Sequence, residues 1–496
     1  MKKKVLDFYK SIQPHAYHIE DAAMDNHIRG GKDLEMFIRS AKMLAREGVL
    51  TCTRPDVYQY EEQQHEEYEG IYKGYRKSYG FVIMLDDEDI YVAEQNKGTA
   101  MHNDKVRVRV VPSDYTKHKR EGIIVDVIER ANETVVGTYD RQQYFGFVVP
   151  DDERIGTDIF VDLKNTLDAR SGAKVLVKIT KWPEGNKKPE GIITEVLGYK
   201  GDVGLDINCI MANHKIPFAF SDEVIKASKK IDTVIHEDPK RWDLRDLQMV
   251  TIDGEDAKDL DDAVSGRKLP NGNYELGVHI ADVSHYVTSG QPIDNEAYKR
   301  GTSVYLVDRV VPMLPEVLSN GICSLNAHED RYAMTCMMEI DDSGTVVNYR
   351  IRPSIIHVGR RCSYKEVYKA LEENIIPDDL QDFMPMLRDL AEISKILNRM
   401  RRRRGALDFD FPEYKVLLDL DGTPLRIVKR DRTMAERLIE ECMLIANETV
   451  ATHLKNTHRT SVYRIHESPS EEKLDLFQKV LNYLGQDLVL SANGVT

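Results

Sequence analysis

Apolar residues open the chain at helical spacing, clearest in Leu34, Phe37, Ile38, Ala41, Met43 and Leu44, and Gly48 with the pair Val49 and Leu50 then breaks the rhythm. The pattern predicts a small helical domain over 1–65 that ends in an extended segment, GVLTCTRPDVY. That order is compatible with a winged helix. Further on the period drops to two, and the pattern occurs twice. GIYKGYRKSYGFVIMLDDEDIYV begins at Gly70 and GTYDRQQYFGFVVPDDERIGTDIFV at Gly137. Each carries a glycine, a basic residue, an aromatic, the triplet Gly-Phe-Val, an acidic turn and a second apolar strand. Each then runs into a further alternating strand, KVRVRVV from Lys105 and KVLVKI from Lys174. Two small β-barrels are therefore expected, at 66–132 and 133–215. From about Pro217 the pattern becomes mixed α/β, with strands predicted at 248–252, 274–280 and 334–340 and helices at 389–403 and 435–454, so 216–496 forms the largest domain.

The barrels carry a chemistry of their own. Tyr79, Phe81, Tyr144, Phe145 and Phe147 are interleaved with Arg76, Lys77 and Arg141, the mixture a base-stacking surface needs. Alternate side chains of a strand face inward, so about half of these rings are expected in the barrel cores. Tyr79 and Phe81 share one face. A barrel that binds only protein is the competing reading.

At 496 residues the chain exceeds what one core organises, so several domains are expected. No apolar run approaches the ~20 residues of a membrane span and no signal peptide is visible, which points to a cytoplasmic protein with no membrane partner. The six cysteines lack CxxC spacing, which argues against a disulfide framework or a cysteine zinc site. A net charge of −14 excludes a protein that coats nucleic acid by bulk attraction, so any such site is local. Asp56, Glu61, Glu62, Glu66, Glu67 and Glu69 stand without a lysine or arginine among them and read as a solvated linker. Residues 399–437 are the opposite, with eleven Lys or Arg against seven Asp or Glu, headed by Arg401, Arg402, Arg403 and Arg404. An exposed basic helix face is the plain reading of that run.

The strongest chemical signal is TIDGEDAKDLDDAV, from Thr251 to Val264. A strand ends at Asp253, and a short loop follows with Asp256, Asp259, Asp261 and Asp262. Two carboxylates about 4 Å apart repel by roughly 4 kcal/mol at an effective dielectric near 20, so a converging group needs protons or a cation. Oxygen ligands without His or Cys select Mg²⁺, or Mn²⁺, over zinc. No register places the glycine and glutamate of a calcium loop. A merely acidic exposed loop would not be flanked by Val250, Ile252, Ala263 and Val264.

That string resembles the catalytic signature of the ribonuclease II superfamily. The likeness continues through GVHIADVSHYV at 277, RGTSVYLVDRVVPMLPEVLSNGICSLN at 300, RGALDFDFPE at 404, IEECMLIANETVA at 439 and YRIHE at 463. The domain order is similar to its ribonuclease R branch: a winged helix, two OB-fold cold-shock barrels, and a mixed α/β catalytic domain. The resemblance implies a processive Mg²⁺-dependent 3′-to-5′ exoribonuclease of RNA turnover and quality control. It would be a monomer acting on single-stranded RNA with a free 3′ end, with ribosomes or RNA-decay proteins as partners. It makes Asp253, Asp259, Asp261 and Asp262 the catalytic and metal-binding carboxylates, with Asp261 the most sensitive, and leaves Asp256 outside. Tyr305 matches a tyrosine that stacks on terminal nucleotides, though read alone it is a strand core residue. Either Glu440 or Glu441 should face the RNA, and Glu441 is the expectation; Tyr79, Phe81, Phe145 and Phe147 belong to the RNA-binding barrels. His279 and His285 are expected to be structural. Complete family members continue with a Ser-Pro-Ile-Arg-Arg-Tyr segment and an S1 domain, so the catalytic domain is expected to be incomplete here. A non-catalytic RNA-binding protein, an inactive truncated product and a winged-helix transcription factor are the rival readings.

Overall fold

The computed structural model describes residues 1–46, 49–60, 66–75, 79–84, 88–111, 120–184, 187–407, 411–430, 432–465, 467–486, 490–491 and 494–495. Two compact units are present. The first comprises 1–218 with 305–311 and 418–425, and the second comprises 219–304, 312–417 and 426–496.

The first unit opens with helices Lys2–Ser11, Ile19–Asp25 and Gly31–Arg46 and a three-stranded antiparallel sheet in the order Tyr17–His18, Val57–Gln59, Thr51–Arg54. The helical spacing explains its core. Phe37, Ala41 and Leu44 point inward against Val5, Tyr9, Ile19 and Tyr58, whereas Met43, grouped with them by sequence, is half exposed on the other side of the helix.

Two closed five-stranded barrels follow. The first is built from Glu67–Tyr75, Tyr79–Ile83, Ile90–Ala93, Lys105–Val111 and Glu121–Glu129, and the second from Thr134–Arg141, Phe145–Pro150, Ile159–Asp162, Ala173–Lys181 and Glu190–Tyr199. Each closes through one parallel pairing, the third strand with the fifth. The repeated Gly-Phe-Val triplet has a packing cause. A Cβ at Gly80 would lie 2.3 Å from the Tyr72 ring, and one at Gly146 would lie 2.3 Å from the Tyr139 ring. Only glycine leaves room for these two tyrosines, which fill the barrel interiors. The expectation that half of the motif aromatics are core is therefore corrected: Gly80, Val82, Gly146 and Val148 take the inward positions, and Tyr79, Phe81, Phe145 and Phe147 all lie on the outer face.

The second unit is organised on a seven-stranded sheet in the order Trp242–Leu244, Val346–His357, Asp330–Ile340, Tyr274–Ala281, Asp262–Lys268, Val250–Asp253, Arg360–Ser363. The two outermost pairings are parallel and the inner ones antiparallel. One face is covered by helices Tyr364–Glu372, Met384–Arg403 and Met434–Asn456, packing Ile252, Val264, Leu276, Val278 and Met338 against Leu387, Leu390, Leu438, Cys442 and Ile445. Reciprocal capping boxes, Ser363 with Glu366 and Thr433 with Glu436, start two of these helices. Helices Asp222–Ser228 and Pro292–Arg300 contribute to a second core on Met249, Ala263, Ala281, Ala333 and Ile356. All six cysteines are free thiols and all but Cys52 are buried. Among the described residues no helix is long and apolar enough to cross a membrane.

Candidate active site

Adjacent antiparallel strands bring two carboxylates to one end of the sheet. Val250 pairs with Val264, so Asp253 at the end of one strand and Asp262 at the start of the next flank the same loop. Between them Leu260 is buried as an anchor, with half-buried Asp259 before it and exposed Asp261 after it. The return is pinned by backbone bonds, Leu325 N–H to the Leu260 carbonyl at 2.9 Å and Ala281 N–H to the Asp261 carbonyl at 3.0 Å.

Neighbouring carboxylates act on Asp261 and Asp262. Burial pushes the Asp262 carboxyl up to about 6, and the charges of Asp253 and Asp261 add to the effect. Asp261 is raised as well, by loss of water around its carboxyl and then by Asp259 and Asp253, although the residue keeps exposed surface. Asp256 does not share in this. Its carboxylate meets Lys415 Nζ at 2.6 Å, and that hydrogen bond holds it below the ordinary range. The donor set is all oxygen, which suits a hard divalent cation, and the mutual repulsion gives such an ion its driving force. Among the described residues no three acidic, His or Cys side chains are drawn into a ready metal cage.

Beside the carboxylates lies a cavity of about 530 Å³ lined by Tyr364, Arg430, Arg432, Glu436, Glu440 and Met443, among others. Tyr364 connects the two, since its hydroxyl is raised by burial and then by the charges of Asp253 and Asp262. Glu440 and Glu441 are placed opposite to expectation. Glu441 is buried, accepting hydrogen bonds from Asn398 Nδ2 and Arg401 Nη2, each at 2.8 Å. Glu440 lines the cavity, where it accepts from Arg432 Nε at 3.0 Å. The cause is the neighbouring helix Met384–Arg403, whose Asn398 and Arg401 supply the donors that a buried carboxylate requires. Arg402, Arg403 and Arg404 are exposed, as the plain reading of the arginine run expects, while Arg401 is tied to Glu441 and Arg404 makes a two-pronged pair with Glu448 at 2.8 and 2.9 Å.

His279 is wholly buried, between Ser265 Oγ at 3.1 Å and Thr335 Oγ1 at 2.8 Å, and burial pushes its imidazole down to about 3. His285 packs on the rings of Tyr286 and Tyr332. Tyr305 is 65% exposed on strand Val304–Tyr305, which pairs with Val310–Val311, so it is not a core residue. It belongs to the first unit, and the carboxylates to the second.

On the first barrel Tyr79 and Tyr75 stack at 5.6 Å with rings 6° from parallel, and Phe81 and Tyr91 complete the cluster. On the second, Phe145 and Phe147 lie 5.3 Å apart with Phe160 beside them, and Lys188 Nζ sits 4.7 Å from the Phe147 ring centroid. Tyr91 and Phe160 were not singled out by sequence, yet they hold equivalent places in the repeat, in IYVA and IFVD. Tyr144 is strongly exposed. Arg76 and Lys77 lie outside the described residues.

Comparison with known proteins fits this arrangement. An RNB domain matches 241–493, about half of the chain, a cold shock domain matches 147–221, and a ribonuclease B OB domain matches 70–127. Ribonuclease R of Thermotoga maritima is 44% identical over 410 residues, covering 82% of this chain and 58% of the relative. This chain belongs to the ribonuclease R family. Ribonuclease R of Escherichia coli K12 is 36% identical over 95% of the chain and 58% of its own length. The chain thus spans less than two thirds of these curated family members. A solved ribonuclease R from Mycoplasma genitalium, in complex with ribose-methylated single-stranded RNA, superposes with a TM-score of 0.80 at 29% identity, covering 86% of this chain and 68% of that one. The ribonuclease R fold, with two OB barrels and an RNB domain, is therefore the fold seen here.

Proposed function

We propose that this ribonuclease R family member is a divalent-metal-dependent 3′-to-5′ exoribonuclease that shortens single-stranded RNA to nucleoside monophosphates. The observation that carries the proposal is that Asp253, Asp259, Asp261 and Asp262 lie on one hairpin within the RNB match, where the charges of their neighbours raise Asp261 and Asp262. These four would hold Mg²⁺, or Mn²⁺ in its place. When bound, such an ion supplies charge neutralisation and an activated water for phosphodiester hydrolysis. The chain's own residues prepare the rest. Tyr364 bounds the cavity next to the carboxylates, and its wall alternates Arg430 and Arg432 with Glu413, Glu436 and Glu440, Arg432 being paired with Glu440.

RNA would be gathered by surfaces that read stacking and shape more than sequence. Phe81, Phe145 and Phe147 would offer half-buried rings on the outer barrel faces, and Tyr79 and Tyr305 exposed ones. The N-terminal helices, read as a winged helix, would extend that surface. The protein would work as a monomer in the cytoplasm on RNA with a free 3′ end, with ribosomes or decay proteins as partners. RNA would be preferred to DNA through 2′-hydroxyl contacts. The test is a 5′-labelled single-stranded RNA incubated with the protein and Mg²⁺. Conversion of the full-length RNA to a short end product is expected, abolished by EDTA and by Asp261→Asn while RNA binding persists. Cleavage that survives Asp261→Asn would sink the assignment, and undiminished RNA binding without any cleavage would favour the non-catalytic reading.

A further inference from the structure

The loop carrying the carboxylates poses a mechanical problem. Six acidic residues, Asp253, Glu255, Asp256, Asp259, Asp261 and Asp262, lie within ten positions, and their repulsion favours splaying the loop open. Glu255 and Asp256 are drawn outward by lysines, Lys365 at 3.6 Å and Lys415 at 2.6 Å. The backbone is held by the exposed Arg361. Its Nη2 lies 2.7 Å from the Ala257 carbonyl, 3.1 Å from that of Glu255 and 3.4 Å from that of Gly254. An NH₂ group has two hydrogens, so the nearer two carbonyls take the bonds and the third is held by charge. Three carbonyl dipoles aimed at one point repel each other unless a cation sits among them, and the guanidinium is that cation.

The placement of Arg361 follows from the sheet. Strand Arg360–Ser363 runs parallel to Val250–Asp253 with Arg361 beside Thr251, so the side chain emerges next to the point where the loop leaves the strand. A second fastener acts on the far half of the loop. Ser324, fully buried, donates from Oγ to the Lys258 carbonyl at 2.8 Å and accepts from the Leu260 N–H at 3.1 Å. Arg361 therefore governs 254–257 and Ser324 governs 258–260.

We infer that Arg361 is a positioning residue for the carboxylate site, whose guanidinium sets the span of the 254–257 turn and thereby the spacing of Asp253 from Asp259, Asp261 and Asp262. The inference rests on the metal-site reading above. Arg361 is solvent-exposed and its guanidinium bonds the loop carbonyls, so its loss acts on the loop more than on global stability. It touches no reacting atom. Its effect passes through the backbone.

The test uses the full chain as Arg361→Ala and Arg361→Lys beside wild type and Asp261→Asn. Mn²⁺ binding is read by electron paramagnetic resonance, and RNA cleavage by kcat and KM. Arg361→Ala should weaken Mn²⁺ binding by roughly tenfold and lower kcat, with KM for RNA nearly unchanged and the melting temperature close to wild type. Arg361→Lys, a point charge that cannot span the turn, should fall in between, and it serves should the alanine variant not fold. Guanidinium ion at sub-denaturing concentration should restore Mn²⁺ binding to Arg361→Ala and leave Asp261→Asn unchanged. Wild-type Mn²⁺ affinity and kcat in Arg361→Ala, or no response to guanidinium, would overturn the clamp while the site stands. Mn²⁺ binding in wild type no better than in Asp261→Asn would remove the site, and the clamp with it.

Discussion

Replacing Asp262 by asparagine keeps the side chain's shape, removes its charge and should make the metal-free protein more stable. In the folded chain the Asp262 carboxyl is pushed up to about 6 from 3.8, by burial first and then by Asp253 and Asp261. A shift of about two units is worth roughly 3 kcal/mol of penalty on the ionised form, at ~1.4 kcal/mol per unit. Partial exposure and shared repulsion reduce the measurable part to about 1–2 kcal/mol. The sign follows from proton counting. Between 3.8 and about 6 the folded state binds more protons than the unfolded state, so stability falls as pH rises through that window. The penalty is complete above it and absent below. Thermal melts in EDTA should therefore show Asp262→Asn above wild type by a few degrees at neutral pH, with the gap closing toward a pH of about 4. Divalent metal should invert the order, because a ligand at a hundredfold excess over its Kd stabilises the wild type by ~2.7 kcal/mol and the variant by less. An Asp262→Asn protein that melts below wild type in EDTA, or a gap indifferent to pH, would refute the electrostatic account.

Two further outcomes separate neighbouring readings. Glu441→Ala should destabilise the second unit by about 3 kcal/mol in urea unfolding, because Arg401 and Asn398 lose a buried partner, whereas Glu440→Ala should change stability by less than about 1 kcal/mol. Equal effects would contradict the placement of the two glutamates. Tyr79→Ala and Phe145→Ala should each weaken binding of single-stranded oligouridine by about 1–3 kcal/mol in fluorescence anisotropy, and unchanged affinity would assign the barrel faces to another partner.

The parts of this fold legible in the sequence are those written in local periodicity. The two barrels were readable because the pattern occurs twice, and the strands around 250, 274 and 334 and the long helices at 384 and 434 came within a few residues of their observed ends. What a strand pattern does not carry is which ring fills a barrel. Tyr72 and Tyr139 were passed over in favour of the motif aromatics, although Gly80 and Gly146 mark the space those two tyrosines occupy. Comparing the copies strand by strand would also have found Tyr91 and Phe160.

The site divides in the same way. The acidic loop could be picked out because a single hairpin of strands carries it, a near-neighbour event in the chain, while the choice of four aspartates within it came from resemblance. The setting aside of Asp256 rested on resemblance alone; in the fold its carboxylate is engaged by Lys415, far along the sequence. Glu440 and Glu441 differ by one step around a helix, and which of them is buried is decided by Asn398 and Arg401 on another helix, so helical spacing could not choose. Arg361 left even less trace, because its partners are backbone carbonyls and those have no letter. Residues that donate chemistry announce themselves by type. Residues that hold the donors in place become visible only when the chain is folded, and the carboxylate loop depends on both.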